Sequence, residues 1–252
     1  CLYKDSVVQS RGFMKFSVII PCYNAEPWIV QAVESVLNQT LPPHEILIID
    51  DGSDDSSIAL VKALSEESHI PIIFLQSERQ GPSVARNIGI DAATGEWIAF
   101  LDADDWWKPD HLERIFAAVE TSGDVVYLAA AEHFSINVNR VVSRSDSPFK
   151  TLKHNIDHTT YFALYQKHKL LELSAAAISH QRLQEVGGFK PEFRGAEDFE
   201  LIMRATCNRT LAYDPIPSSY YRCNNPVSHS RINSLDVGCL TAYFRALQSL
   251  QD

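Results

Sequence analysis

The sequence predicts an α/β protein, with a mostly parallel sheet flanked by helices and folded as a single domain. Through roughly the first half of the chain, short apolar segments alternate with segments that carry apolar residues at helical spacing. This alternation is typical of parallel βαβ units whose sheet is covered on both faces. The chain of 252 residues contains no Pro-, Gly- or Ser-rich linker that would divide it into two domains.

Three βα units are expected before residue 96. Their strands are residues 16–21, 45–49 and 72–75, which are apolar and rich in Ile, Val or Leu. Turn and cap signals follow the strands: Asn24-Ala25-Glu26-Pro27, Asp50-Asp51-Gly52-Ser53 and Gln80-Gly81-Pro82-Ser83. Each helix that comes next has an apolar face: Ile29, Val33, Val36 and Leu37, then Ile58, Val61 and Leu64, then Val84, Ile88 and Ala92, with Gly95 expected to close the third.

An acidic segment follows the fourth predicted strand, residues 97–101. Asp102, Asp104 and Asp105 come directly after this apolar run. Open α/β sheets bind ligands at the carboxyl ends of their strands, and hard divalent cations prefer carboxylate oxygens. A metal that carries a phosphorylated substrate is therefore expected here. The alternative is that these acids only cap or solvate the loop before a helix over residues 109–121, with Gly123 at its end.

The pattern changes after residue 124. Residues 124–131 are strand-like, whereas residues 135–160 are polar and without a clear period, which indicates a mobile or variable excursion over the site. A helix over residues 161–171, an apolar segment over residues 173–178 and a further helix that ends at glycine follow. Residues 235–250 predict a terminal helix whose apolar face packs on the domain, the alternative being contact with a partner.

Composition and charge argue against several classes of function. The formal net charge of -10 opposes contact with a nucleic-acid backbone, so no nucleic-acid partner is expected. No apolar run approaches the roughly 18 residues of a membrane span. Five scattered cysteines without a C-x-x-C pair suggest neither a disulfide framework nor a zinc site, and they favour a reducing cytoplasm. Residues 1–13 precede Met14 and are interpreted as an upstream or added segment.

Five motifs stand in a defined order along the chain. They are Val18-Ile19-Ile20-Pro21-Cys22-Tyr23-Asn24, Ile49-Asp50-Asp51-Gly52-Ser53, Gly81-Pro82-Ser83-Val84-Ala85-Arg86-Asn87, Leu101-Asp102-Ala103-Asp104-Asp105 and Gly195-Ala196-Glu197-Asp198-Phe199-Glu200-Leu201. This set resembles the inverting family 2 glycosyltransferases of the GT-A fold over about residues 15–231. The resemblance implies a Rossmann-like GT-A domain over residues 14–231, with residues 232–252 as a C-terminal helix packed on it.

By resemblance, the nucleotide of a sugar donor lies against the first two loops. Pro21, Tyr23 and Asn24 are expected to line the base. Asp50 or Asp51 would accept hydrogen bonds from a uracil N–H and from the ribose hydroxyls. The alternative for these acids is an Asx-type turn that begins the next helix, a role that the following pair of acids, Asp54-Asp55, fits better.

The resemblance also implies a metal site. Asp102-Ala103-Asp104 matches the D-x-D motif of the family, in which the carboxylates reach Mn²⁺ or Mg²⁺ directly or through water while the donor diphosphate completes the shell. Asp105 belongs to the same turn or caps the next helix. Arg86 is expected to fork onto the diphosphate or onto the metal-site carboxylates, the alternative being a solvated helical arginine.

Two other segments carry weaker signals. Trp106 and Trp107 either stack on a sugar face of the acceptor or, as aromatic pairs more often do, pack under a loop. Tyr220-Tyr221-Arg222 and Ser228-His229-Ser230-Arg231 resemble the closing segment of the family, which can fold over the donor diphosphate. His229 is a candidate metal ligand within that segment, although a lone loop histidine is more often solvated.

Glu197-Asp198 matches the E-D motif of the family, in which the aspartate is the general base. Inversion requires a carboxylate on the face opposite the leaving nucleotide, where it takes the proton of the attacking acceptor hydroxyl. Asp198 is therefore the candidate catalytic residue. The alternative is an acid pair that only starts a helix.

Together these observations predict a metal-dependent inverting transferase that moves a single sugar from a nucleotide-diphosphate donor, with a UDP-sugar favoured, to a glycan or lipid-linked acceptor in cell-surface polysaccharide synthesis. Single transfer is favoured because the Q-x-x-R-W motif of processive relatives is absent. The expected location is the cytoplasm, with peripheral association at the inner face of the membrane left open. We expect residues 135–175 to determine the acceptor.

Two other classes of function compete with this prediction. A non-catalytic nucleotide-sugar-binding module of the same fold would be favoured if Asp198 pointed away from the metal. A nucleotidyltransferase or an NAD-dependent oxidoreductase would need a glycine-rich first loop, which Pro21-Cys22-Tyr23-Asn24 does not provide.

Overall fold

A computed structural model of the chain describes residues 14–120, 122–168, 170–193 and 195–223. The segment 1–13, His229 and the terminal helix expected over residues 235–250 lie outside the described residues. Within them, none of the helices has the length and apolar character needed to cross a bilayer. The described cysteines that carry free thiols are Cys22, Cys207 and Cys223.

Strands and helices alternate through the first half of the chain, as the sequence predicts. The elements are β1 (Phe16–Cys22), α1 (Ile29–Leu37), β2 (Glu45–Asp50), α2 (Ser57–Glu67), β3 (Ile72–Gln76), α3 (Pro82–Ala92), β4 (Trp97–Phe100), β5 (Trp106–Trp107), α4 (His111–Val119), β6 (Val126–Ser135), β7 (Arg140–Arg144), β8 (Lys153–Asp157), α5 (His158–His168), β9 (Ala176–Ser179), α6 (His180–Val186), α7 (Glu197–Thr206) and β10 (Thr210–Cys223). A short 3₁₀ turn, Leu173–Ala175, precedes β9.

The strands form one mostly parallel mixed sheet in the order β3-β2-β1-β4-β9-β6-β10-β5, with β7 beside β6 and β8 beside β10. β1 pairs in parallel with β2 and β4, and β6 pairs in parallel with β10. β9 lies antiparallel between β4 and β6, so those two strands run in the same direction. The carboxyl ends of β1, β2, β4 and β6 therefore share one edge of the sheet. The predicted α/β class is confirmed.

Apolar cores cover both faces of the sheet. Along β1, Val18 and Ile20 face one core, whereas Ile19 between them faces the other. The first core includes the inner faces of α1 and α4, and the second those of α3, α5, α6 and α7. Strands buried on both faces explain why the sequence reads as continuous apolar runs.

Several helix boundaries differ from the predictions. α1 begins at Ile29, and the side chain of Asn24 does not cap it but accepts a hydrogen bond from Asp54 N. α3 ends at Ala92 rather than at Gly95. α4 ends at Val119, so Gly123 does not close it. Helix ends depend on tertiary contacts, which local signals do not encode.

The buried face of α3 also differs from the prediction. Ser83, Ala85, Arg86, Gly89 and Ile90 are buried. Of the residues predicted for this face, Ile88 packs partly buried against the second core, whereas Val84 is half-buried and Ala92 is exposed. A Cβ atom at Gly89 would lie 2.8 Å from Ile19, so small residues are required where this helix approaches the sheet. The backbone of α3 lies so close to the sheet that the size of a side chain, more than its hydrophobicity, determines which residues can face inward.

The excursion expected over residues 135–160 is ordered into strands. β7 pairs with the end of β6, and β8 pairs with β10. The helix that follows spans His158–His168 rather than residues 161–171. Most residues of these strands are exposed, so they lack the apolar pattern by which a strand is recognised in a sequence.

Candidate active site

The predicted site residues gather at the edge formed by the carboxyl ends of the parallel strands. Tyr23 and Asn24 follow β1, Asp50 ends β2 and Asp51 follows it, and Asp102 follows β4. Parallel strands in register bring such positions together even though they are far apart in the sequence. The edge therefore collects the first, second and fourth motifs.

The loops after β1 and β2 are joined by hydrogen bonds. Asn24 N donates to Ser53 Oγ at 3.1 Å, and Asn24 Oδ1 accepts from Asp54 N at 2.9 Å. Asn24 adopts a φ of 47°, a left-handed conformation that asparagine tolerates better than most residues. Asp50 Oδ1 accepts from Ser53 N at 2.9 Å, which is the Asx-type turn considered as the alternative for this motif.

Asp50 and Asp51 differ in burial and in their hydrogen-bond partners. Asp51 is buried, and its two carboxylate oxygens accept hydrogen bonds from Gln80 N at 2.9 Å and Gly81 N at 2.8 Å. These bonds hold the loop that precedes α3. Asp50 is half-buried at the rim of the edge. Of the two acids, Asp50 is thus the better candidate to contact a nucleotide.

Tyr23 is exposed beside the same loops. The guanidinium of Arg79 lies over its ring at 4.9 Å from the centroid, and Arg79 donates a hydrogen bond to the Tyr23 hydroxyl. Pro21 is half-buried at the end of β1. Arg79 was not predicted as a site residue, because nothing in its local pattern shows that its left-handed backbone turns it toward Tyr23.

Asp55 begins α2. Its Oδ1 accepts from Ser57 N at 3.0 Å and its Oδ2 from Glu26 N at 2.9 Å, and burial raises its pKa less than these hydrogen bonds lower it. This is the turn role that the sequence predicts for the second acid pair. The carboxylate also ties the start of α2 to the loop before α1.

Arg86 is buried and reaches the metal motif. Its Nη2 donates to Asp102 Oδ1 at 2.5 Å, and its Nε and Nη1 have no hydrogen-bond partner among the described residues. Burial acts to lower the pKa of Arg86, but Asp102, Glu197 and Asp198 together raise it. The interpretation of Arg86 as a solvated helical arginine is therefore wrong. The unpaired N–H groups of its guanidinium could donate to an anionic ligand.

The acidic loop after β4 has two sides. The Asp102 side chain is about one-third exposed at 34%, and Asp104 is half-buried. Ala103 is buried between them. Asp105 points inward, where it accepts hydrogen bonds from Ser174 Oγ at 2.6 Å and Arg222 N at 2.8 Å.

Asp105 is neither a helix cap nor a site carboxylate facing solvent. The N-cap position of α4 is occupied by Asp110. Burial, and then the charges of Asp104 and Asp102, raise the pKa of Asp105 well above its ordinary value. Asp105 therefore belongs to the same turn, which it supports from the inside, and the alternative role as a cap of the next helix is wrong.

Arg222 links the loop to β10. Its Nε donates to the Asp104 carbonyl at 2.6 Å and its Nη2 to Gln31 Oε1 at 2.7 Å. The guanidinium also lies 4.6 Å from the ring centroid of Trp106 and 4.3 Å from that of Trp28. Arg222 therefore supports the acidic loop, and the remainder of its closing segment lies outside the described residues.

Of the two tryptophans, Trp107 packs under the loop and Trp106 is half-buried beside it. Trp107 is buried, and its Nε1 donates to the Ser174 carbonyl at 2.6 Å. Trp106 stacks on Tyr220 at 4.8 Å between ring centroids. The packing alternative is confirmed for Trp107. Ser174, which also accepts a hydrogen bond from Asp102 N at 3.1 Å, is a site residue that was not predicted, since a serine in an apolar segment carries no motif.

The donor set fits a divalent cation that is shared with a substrate. Among the described residues, no three His, Cys, Asp or Glu side chains converge on a common point. Asp102 and Asp104 supply two carboxylates, and Mg²⁺ is commonly bound through one or two carboxylates plus substrate phosphates. The residues present are therefore compatible with a metal whose coordination a diphosphate completes.

Asp198 lies in the first turn of α7. Its Oδ1 accepts from Phe199 N at 2.7 Å, and Glu197 Oε2 accepts from Gly195 N at 2.7 Å. Burial and the adjacent Glu197 raise the pKa of Asp198 to about 7, against the lowering effects of the hydrogen bond from Phe199 N and of Arg86. The pair does start a helix, as the alternative holds. A pKa near neutrality is in addition what a general base needs.

Comparison with known proteins identifies the family. The model of "Glycosyl transferase family 2" matches residues 17–183. The "Putative teichuronic acid biosynthesis glycosyltransferase TuaG" of Bacillus subtilis is 41% identical over 99 residues, covering 39% of this chain and 39% of TuaG. The matched segments span less than two fifths of the length of the curated relatives.

Solved structures share the fold. S. aureus TarS 1–349 in complex with UDP-GlcNAc has a TM-score of 0.71 at 23% identity, covering 93% of this chain and 65% of that one. The mannosyltransferase PcManGT from Pyrobaculum calidifontis in complex with GDP-Man and Mn²⁺ has a TM-score of 0.63 at 18% identity, covering 86% and 59%. The fold of these glycosyltransferases is GT-A, as the resemblance implied. With a family model that matches about two thirds of its length and a GT-A sheet that gathers the motifs at one edge, the chain belongs to glycosyl transferase family 2.

Proposed function

We propose that the protein is a metal-dependent inverting glycosyltransferase that transfers one sugar from a nucleotide-diphosphate donor, preferably a UDP-sugar, to a glycan or lipid-linked acceptor during cell-surface polysaccharide synthesis. Membership of family 2 supports glycosyl transfer. The teichuronic acid named for TuaG supports the polysaccharide context, and the ligand of TarS supports UDP. The complex of PcManGT supports a divalent cation.

The position of Arg86 carries the proposal. Its buried guanidinium is paired with Asp102 and lies in the electrostatic field of Glu197 and Asp198. The guanidinium of Arg86 thus pairs with the metal motif and also interacts electrostatically with the candidate base, although these residues are far apart in the sequence. A donor diphosphate and an acceptor hydroxyl need this proximity, because the attacked carbon lies between them.

Each residue of the site has a separate role in the proposed reaction. The acceptor oxygen bonds to the anomeric carbon as the bond from that carbon to the phosphate oxygen breaks, and the electron pair leaves with the nucleotide diphosphate. Asp198 takes the hydroxyl proton, and its pKa of about 7 leaves much of it ionised at neutral pH. Arg86 orients the diphosphate through its unpaired N–H groups. A cation at Asp102 and Asp104 would neutralise charge on the leaving group.

The nucleotide has a separate set of contacts. Tyr23 offers an exposed ring for the base, with Arg79 lying against it. Asp50 is the acceptor for base or ribose donors, while Asp51 keeps the adjacent loop in place. Asn24 acts through the loop that it joins rather than through its own amide oxygen.

The test is a donor screen. Purified protein is incubated with UDP-, GDP- and TDP-sugars, each with Mn²⁺, Mg²⁺ or EDTA, and release of the nucleotide diphosphate is measured. We expect release from a UDP-sugar only with a divalent ion, and a β-linked product from an α-linked donor. A retained α linkage would overturn the inverting mechanism. Tight donor binding with no turnover toward any acceptor would instead support the binding-module alternative.

A further inference from the structure

A cavity of about 300 Å³ lies outside the candidate donor site. It is lined by His133, Ser145, Asp146, Lys167, His168 and Glu172. These residues come from the end of β6, the segment after β7, the end of α5 and the segment before the 3₁₀ turn. Its volume is at the lower end of the range of about 300–1,000 Å³ for small-molecule pockets, so it has room for one small unit rather than a long chain.

The position of the cavity relates it to the reaction. β6 runs in the same direction as β4, so His133 near its carboxyl end lies at the edge that carries the acidic loop. Glu172 stands two residues before Ser174, which binds the backbone of Asp102. The charge of Glu172 also acts on Asp198. One wall of the cavity therefore adjoins the segment that holds the acidic loop, and its carboxylate acts electrostatically on the candidate base.

The chemistry of the lining is mixed and balanced. His133 Nε2 lies 3.1 Å from Glu172 Oε1, and His168 Nδ1 lies 2.7 Å from Asp146 Oδ2. Each carboxylate of the lining is thus matched by an imidazole. Lys167 adds a donor to this set, and carboxylates, imidazoles and a hydroxyl supply both donors and acceptors. Such a set suits a neutral ligand whose hydroxyl groups donate and accept, rather than a lipid tail or a strongly charged ion.

We propose that this cavity binds the hydroxyl-rich terminal unit of the acceptor, a neutral sugar or polyol, and holds it beside Asp198. The assignment of the unit as an acceptor rests on the proposed function. The polar segment between β6 and α5 contributes Ser145 and Asp146 to its lining. The cavity also locates the acceptor on the side of the sheet edge away from Tyr23 and Asp50, where the donor nucleotide is proposed.

The experiment measures binding without requiring turnover. Saturation-transfer NMR on the whole protein uses the methyl glycosides of glucose, galactose and N-acetylglucosamine as probes, with glycerol 1-phosphate as an anionic probe. The variants are Lys167→Ala and the double variant Lys167→Ala, His168→Ala. The control is His69→Ala, an exposed histidine that precedes β3 at the opposite edge of the sheet. UDP binding is recorded for every variant and reports that the fold is retained.

At least one methyl glycoside should bind the wild-type protein, and the double variant should weaken that binding about tenfold, as the loss of one or two hydrogen bonds predicts. Lys167→Ala should have a smaller effect, and His69→Ala none. Absence of glycoside binding, unchanged binding in the double variant or binding of glycerol 1-phosphate alone would each overturn the proposal. Glycoside binding to the cavity in a protein that turns over no nucleotide sugar would refute the proposed function and leave the cavity assignment standing.

Discussion

At the level of single residues, buried charge decides what the site can do. Arg86 is held inside the protein by Asp102, and Asp198 is kept from full ionisation by burial and by Glu197. A shift of one pKa unit corresponds to about 1.36 kcal/mol between the two protonation states. Small rearrangements of these groups therefore have measurable effects on rate, pH dependence and stability.

Replacing the candidate base should remove catalysis and spare binding. Asp198→Asn preserves shape but cannot take a proton, so the transfer rate should fall about 10²- to 10⁴-fold while donor affinity is kept. In the wild-type protein the rate should rise with pH and level off above pH 7, because the base acts when deprotonated and its pKa is about 7. Steady-state kinetics across pH measure both. Near-normal transfer by the variant would move the role to another group, with Glu197 the first alternative.

The same substitution should stabilise the protein at alkaline pH. The pKa of Asp198 is raised in the folded state, so stability is fully present below its unfolded pKa and is lost as pH rises through about 7. Asp198→Asn should therefore gain about 1–2 kcal/mol over the wild type at pH 8, after allowance for solvent screening of a partly exposed group. Urea unfolding at pH 5 and pH 8 measures the difference. An equal effect at both pH values would contradict it.

Arg86 should act on the diphosphate and not on the nucleoside. Arg86→Ala removes a buried cation, so affinity for UDP should fall at least about tenfold while affinity for uridine stays nearly unchanged. Calorimetry with both ligands tests this. The control is Arg144→Ala, an exposed arginine in β7. Unchanged UDP affinity in Arg86→Ala would show that Arg86 pairs with Asp102 and does not contact the diphosphate.

At the level of helices and turns, the turn after α6 holds α3 in position. Asn87 Oδ1 accepts from Phe189 N at 2.7 Å, and Asn87 Nδ2 donates to the Phe189 carbonyl at 2.8 Å. Arg86 is the neighbour of Asn87, so this pair of bonds also sets where the guanidinium lies. The turn itself begins at Gly187, which ends α6 in the left-handed conformation.

Two adjacent glycines of this turn allow a matched pair of substitutions to alanine. Gly187 has a φ of 77° and no described atom within 4 Å of an added Cβ, whereas Gly188 has a φ of 64° and an added Cβ would lie 2.5 Å from Asn87 Oδ1. Gly187→Ala should cost about 1–2 kcal/mol of the free energy of unfolding through its backbone alone. Gly188→Ala should cost more and also weaken UDP binding, since it displaces Asn87. If urea unfolding showed that both variants lose the same free energy of unfolding, the proposed effect of the contact with Asn87 would be contradicted.

For the molecule as a whole, negative charge opposes the binding of an anionic donor. The net charge is -10, and the edge where the diphosphate is proposed to lie carries Asp102 and Asp104. An anionic donor would meet these carboxylates as like charges unless a cation lies between them. The net charge of the protein and the two local carboxylates thus both repel the donor diphosphate.

Donor binding should therefore require a divalent ion. Calorimetry should show UDP affinity with Mn²⁺ or Mg²⁺ and at least about a tenfold loss in EDTA. The double variant Asp102→Ala, Asp104→Ala should lose the effect of the metal. Asp54→Ala removes an exposed acid of the neighbouring loop and serves as the control. Equal affinity with and without EDTA would refute the metal assignment.

Much of the fold follows from local patterns. The apolar runs of β1, β2 and β4 and the turn signals after them predict the parallel half of the sheet, because strand and helix periods are local properties of a sequence. The strands β7 and β8 escaped prediction since their residues are mostly exposed. They form through pairing with β6 and β10 rather than through an apolar pattern of their own.

Motifs and periodicity along the chain are enough to predict the order of the elements from β1 to β4, the acids that follow β4 and the acid pair that starts α7. Which of the charges are buried depends on the folded molecule. Asp105 turns inward because Arg222, 117 residues away, binds it. The pKa of Asp198 rises because neighbouring elements remove it from water and bring other charges near. Burial and charge proximity depend on contacts between distant segments, which no local pattern contains.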